Sequence, residues 1–66
     1  MDATIYRLTV DNGNTEECND YTDIMDAEAA FMKATRKKAT FSATVYAYDG
    51  ETYERVGGRI YNYSKD

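Results

Sequence analysis

Thr40-Phe41-Ser42-Ala43-Thr44-Val45-Tyr46-Ala47-Tyr48-Asp49-Gly50 is the stretch that decides the fold. Successive side chains of a strand point to opposite faces, so this run divides into two rows. Phe41, Ala43, Val45 and Ala47 make an apolar row, while Ser42, Thr44, Tyr46 and Tyr48 make a row of hydroxyl-bearing side chains. That division suits a strand with one face on a core and the other in water. Asp49-Gly50 is a two-residue hairpin signal, after which the chain returns as a strand over residues 52–63. A turn of that length sets Tyr46 opposite Tyr53 and Thr44 opposite Arg55. Val56 and Ile60 then face inward with Phe41 and Val45. Gly57-Gly58 marks a bulge or a sharp local twist, which leaves the strand parity beyond it open.

Upstream, the period changes from two to 3.6. Over residues 22–38, Ile24, Ala27, Phe31 and Ala34 fall on one helical stripe, with Ala30 beside them and Met25 and Met32 at its borders. Asp20, Thr22 and Asp23 are N-cap candidates. Acids lead this helix, and Lys33, Arg36, Lys37 and Lys38 finish it, matching the helix dipole at both ends. Earlier still, residues 4–10 alternate, with Tyr6, Leu8 and Val10 on one face and Ile5, Arg7 and Thr9 on the other. Asn12-Gly13 supplies a hairpin turn, and residues 15–19 form a short acidic edge strand whose charges discourage pairing with another chain. The expectation is an α+β fold in one domain, 1–66. It is a single-layer, mainly antiparallel sheet of three or four strands packed on one helix, in the order ββαββ, or βαββ if the 15–19 strand fails to form.

Composition excludes several kinds of chemistry. The 66 residues include 12 Asp or Glu against 8 Lys or Arg, no His, no Pro, no Trp, one Cys and seven Tyr, for a net charge of −4. Without His and with the lone Cys18, the usual zinc ligands and the Ser–His–Asp and Cys–His nucleophilic arrangements are missing, and no internal disulfide can form. Cys18 itself sits among acids and lacks the electropositive setting of a reactive thiol. No apolar run approaches the ~18 residues of a membrane span. Met1-Asp2-Ala3-Thr4 has neither the basic nor the apolar region of a signal peptide. A cytoplasmic protein without cofactor, metal or membrane association is expected, and not an enzyme.

Two surfaces remain as candidate sites. Glu16, Glu17, Asp20, Asp23 and Asp26, with Glu28, concentrate six acids in thirteen residues. They serve as edge protection and helix N-terminal acids, or as an anionic patch for a partner's basic surface. On the register above, Tyr46, Tyr48 and Tyr53, and with preserved parity Tyr61 and Tyr63, share the sheet face opposite the helix with Arg55 and Arg59. One helix covers one face, so these side chains meet water, a protein partner or a second copy of the chain. Tyr and Arg are common interface anchors. Stacking of nucleic acid on the same face is disfavoured by the acidic total and the dispersed bases. Asp11-Asn12-Gly13-Asn14 lacks the alternating oxygen ligands and distal Glu of a calcium loop, and Asp23 and Asp26 have no cleft behind them for metal or acid–base chemistry.

The order and length, with residues 5–10 as first strand, Asn12-Gly13-Asn14-Thr15 as turn, 23–38 as helix and 40–63 as second hairpin, resemble the immunoglobulin-binding domains of streptococcal protein G and of protein L. In those domains the first and last strands pair in parallel at the sheet centre, an arrangement these residues neither require nor exclude. The resemblance is one of topology and bears on fold more than function. An adhesion module that binds immunoglobulin is what it implies. By type, a small acidic protein without catalytic residues also resembles the inhibitors encoded by phages and mobile elements, including anti-CRISPR proteins and other DNA mimics. That second resemblance implies a non-enzymatic inhibitor whose acids engage the Lys and Arg groups of a nucleic-acid-binding effector complex.

Overall fold

The alternation of residues 4–11 becomes strand β1 (Thr4–Asp11), and the Asn12-Gly13 turn returns the chain as β2 (Glu16–Tyr21). A computed structural model describes residues 3–65 of the chain. The leader reading at Met1 and Asp2 and the outer limits of the 1–66 domain lie outside the described residues. The turn is held locally: Asn12 Oδ1 accepts from the Asn14 and Thr15 amides, Asp11 Oδ1 accepts from Gly13, and Gly13 takes φ +94°, a region that costs glycine little. Helix α1 (Ile24–Thr35), β3 (Ser42–Asp49) and β4 (Arg55–Ser64) complete the chain. The sheet order is β2-β1-β3-β4 and every neighbouring pair is antiparallel.

Since β2 and β3 both run opposite to β1, they run parallel to one another with β1 between them. The connection between them therefore crosses the sheet, and α1 is that crossover. The first and last strands are not neighbours, so no parallel pair occupies the centre. The sheet has one covered face. Leu8, Ala43 and Val45 meet Ala27 there in a cluster buried to 3% exposure or less, with Tyr6, Val10, Tyr21, Ala30, Phe31, Ile60, Tyr61 and Tyr63 packed around it. Alanine at 27, 34, 43 and 47 lets the helix lie close to the sheet, and Leu8 is the bulkiest side chain among the buried apolar residues.

Several boundaries differ from the sequence expectation. The second strand runs on through Asp20 and Tyr21, so Asp20 is a strand residue and not a cap. Asp23 is the N-cap, with extended backbone and a carboxylate accepting from the Met25 amide at 2.9 Å. The helix ends at Thr35, and residues 36–39 are turn, stabilised by the Lys37 and Thr40 amides donating to Ala34 and Lys37 carbonyls. Phe41 precedes β3 and is 45% exposed, outside the inner row assigned to it. Met25 and Met32 are 71% and 48% exposed and do not border the core.

The second hairpin departs most. A two-residue turn at Asp49-Gly50 does not form; Tyr48 pairs with Arg55, and six residues lie between them. Asp49 organises that loop. Its carbonyl accepts from the Tyr53 amide, its amide donates to the Glu54 carbonyl, and its carboxylate accepts from Glu51. Tyr53 then takes φ +58° to bring the chain back. Gly50 is required for another reason: its amide donates to the Ala3 carbonyl at 2.7 Å, and a Cβ there would lie 2.5 Å from that oxygen.

Candidate functional site

The face of the sheet that α1 leaves uncovered follows from the register. Its rows, read from β2 to β4, are Glu16–Asp11–Ser42–Ser64, Cys18–Thr9–Thr44–Asn62 and Asp20–Arg7–Tyr46–Arg59, with Ile5–Tyr48–Arg55 closing the end. Tyr46 and Tyr48, two residues apart on β3, are thus flanked by arginines on both neighbouring strands. Each ring carries a guanidinium from the diagonal position. Arg7 lies over Tyr48 and Arg55 over Tyr46, each 4.9 Å from the ring centroid, a distance at which the ring quadrupole attracts the cation. Arg59 donates to Asn62 at 3.3 Å.

Arg7 also closes a two-pronged ion pair with Asp20, Nε to Oδ1 at 2.7 Å and Nη2 to Oδ2 at 3.1 Å. The donated hydrogen bonds hold the Asp20 carboxyl below the ordinary carboxylate range and keep Arg7 protonated more firmly still. Both side chains remain substantially solvated, so the pair orients Arg7 over Tyr48 more than it stabilises the fold.

Tyr61 and Tyr63 are not on this face. Their expected place there required the β4 bulge to take up an even number of residues. Gly57 and Gly58 do so, between Val56, opposite Ala47, and Arg59, opposite Tyr46; Gly57 is in the left-handed region at φ +74°. Ile60 then adds a third unpaired residue before Tyr61 meets Val45 and Tyr63 meets Ala43. An odd total reverses the parity. Tyr61 consequently stacks on Phe31 of the helix, centroids 5.4 Å apart and planes 25° from parallel, and its hydroxyl donates to Glu28. That hydrogen bond, then burial, pushes the Tyr61 phenol above its ordinary range. Tyr53 is also displaced, into the returning side of the hairpin loop, 61% exposed.

The acids do not share one surface. Glu16 and Asp20 project on the open face with Arg7, whereas Glu17 projects on the helix side. Asp23 is committed to the helix cap and Asp26 occupies the first turn. What unites them is the edge: β2 ends the sheet, residues 16–20 are all exposed, and acids emerge from both of its sides. Among the described residues there is no cavity, no trio of acid or thiol side chains placed to hold a metal, and no helix long and apolar enough to cross a membrane. Cys18 lies on the open face, 3.6 Å from the Thr9 hydroxyl. Sequence reasoning missed Arg7 as a member of the aromatic face; its alternation with Leu8 was the signal that could have placed it there. Comparison with protein families, curated proteins and solved structures finds no match for the chain.

Proposed function

We propose that the chain is a non-enzymatic binding protein that acts by occupying a partner's nucleic-acid-binding surface, in the manner of anti-CRISPR proteins and other DNA mimics encoded by phages and mobile elements. The observation that carries this reading is the edge strand β2. Its carboxylates emerge from both sides of a short edge strand that is paired on one side only, with β1, and Asp23 and Asp26 continue the charge beyond its end. A ridge of this shape enters a groove whose Lys and Arg groups ordinarily hold phosphates. Charge of this kind steers encounter and selects partners, while affinity comes from desolvated anchors. The neighbouring open face offers those anchors in Tyr46, Tyr48, Arg55 and Arg59. Asp20 is already paired and Asp23 is already a cap, which leaves Glu16, Glu17 and Asp26 as the free charges.

Titrating the protein into purified nucleases and CRISPR effector complexes tests the proposal. The chain with both Glu16→Lys and Glu17→Lys is expected to bind at least about tenfold more weakly at low salt, through a slower on-rate, a difference that added salt diminishes. Undiminished affinity in that variant contradicts the acidic mechanism. A second reading is favoured by the three arginines gathered about two tyrosines on the open face: binding of single-stranded nucleic acid. Its sign is oligonucleotide binding that falls steeply with salt and with Arg55→Ala or Arg59→Ala.

A further inference from the structure

Helix α1 is apolar on two opposite sides. Ala27, Ala30, Phe31 and Ala34 face the sheet, and at 100° per residue the opposite crest is made by Met25, Ala29 and Met32, with the C-cap residue Arg36, still in αR backbone, continuing its line. All four are exposed, Met25 at 71%. A helix apolar on both sides is ordinarily covered on both. The spacing of the crest, steps of four, three and four, is that of a coiled-coil seam. On one flank of the seam lie Asp26 and, seven residues on, Lys33, both exposed.

This pattern is self-complementary when reversed. We propose that a second copy of the chain docks on this crest with its helix antiparallel. Ala29 of each copy then packs against Met32 of the other, a small side chain against a large one on both sides of the two-fold axis. Met25 lies along the aliphatic stem of Arg36 of the second copy. Asp26 meets Lys33 of the second copy, twice by symmetry, and the acid-led start of each helix lies against the basic finish of the other. The central alanines permit the close approach, about 8–10 Å between axes, that such a seam needs. Twelve residues make a helix only about 18 Å long, so the contact is smaller than the ~800 Å² per partner of a standard interface. It belongs to the weak, concentration-dependent class. Both open sheet faces point outward in this pair, so the dimer is a two-headed form of the binding protein in which Asp26 serves the seam and the partner-facing charge rests on Glu16 and Glu17. The dimer does not depend on what those faces bind.

Sedimentation equilibrium of the full chain from about 10 μM to about 1 mM tests this, spanning the affinities expected of a small interface. The mass is expected to rise from the 7.5 kDa of one chain toward twice that value. Ala29→Glu, on a solvent-facing position, is expected to hold it at one chain. Asp26→Lys and Lys33→Glu are each expected to weaken association about tenfold, and the two together to restore it. Tyr46→Ser, on the opposite side of the molecule, is expected to leave association unchanged. Circular dichroism reports that each variant is folded. A mass fixed at one chain across the range overturns the proposal. So does a dimer that survives Ala29→Glu, one lost in Tyr46→Ser, or failure of the double charge swap to recover what the single changes lose.

Discussion

Leu8 and Ile5 lie three residues apart on β1, one beneath the helix and one on the open face, and truncating each to alanine reads the difference between the faces. Leu8 is 3% exposed and packs with Val45 and Ala27. Removing three carbons at about 0.8 kcal/mol each loses about 2.4 kcal/mol of transfer free energy. The cavity left between sheet and helix brings the cost to about 3–4 kcal/mol, within the range for buried leucine truncations. A domain of 66 residues has roughly 3–10 kcal/mol to lose. Ile5 pairs with Tyr48 on the uncovered face and is only half-buried, so Ile5→Ala costs about 1 kcal/mol or less. Thermal unfolding followed by circular dichroism and tyrosine fluorescence separates them, because 1 kcal/mol moves Tm by about 4–8 °C in a domain of this size. Leu8→Ala is expected to fall at least about 10 °C further than Ile5→Ala, or to be unfolded at room temperature. Equal losses at the two positions would refute the one-sided core.

Further consequences follow from individual contacts. Tyr61 has its phenol pKa raised in the folded state, so its contribution to stability is complete below the unfolded value near 10 and is lost as pH rises through the folded value; Tyr61→Phe is expected to be less stable at neutral pH and to lose less on alkaline titration. Asp20 has its carboxyl lowered by Arg7, so that contribution is present above the unfolded carboxylate value and fades as pH falls through the folded one; Asp20→Asn is expected to flatten the acid limb of a Tm-against-pH curve. Tyr53 holds a left-handed conformation outside glycine's privilege, which costs a non-glycine residue about 1–2 kcal/mol, and Tyr53→Gly is expected to raise Tm by a few degrees. Gly57→Ala meets no atom within 4 Å yet must adopt φ +74°, and a loss of about 1 kcal/mol is expected in chemical denaturation.

The elements legible in the sequence were those with many residues voting for one period. Ala43, Val45 and Ala47 repeat every two residues and are all buried, and Ala27 and Ala34 repeat at helical spacing and are buried too. What escaped was decided by single residues. Nothing in Ile60 distinguishes an unpaired residue from a paired one, yet it sends Tyr61 and Tyr63 under the helix. Asp49-Gly50 has the composition of a tight turn, but Gly50 answers to the Ala3 carbonyl, a contact distant in sequence. Met25 and Met32 are apolar and invite a core assignment, while the narrow, alanine-lined seam against the sheet has no room for their crest of the helix. The acids of residues 16–26 were visible as a cluster, and alternation over 15–19 already sets Glu16 and Glu17 on opposite sides; placing Asp20 beside Arg7 required knowing that β2 extends through it.

The division of the tyrosines between the two faces bears most of the account, and proton–proton contacts in solution test it most directly. Nuclear Overhauser effects are expected between the Tyr61 ring and the Phe31 ring, and between Tyr61 and Val45, with Tyr46 and Tyr48 showing contacts to Arg55 and Arg7 and none to the helix. Contacts from Tyr46 or Tyr48 to Ala27 or Phe31, with Tyr61 free of both, would contradict the register and the open face built on it.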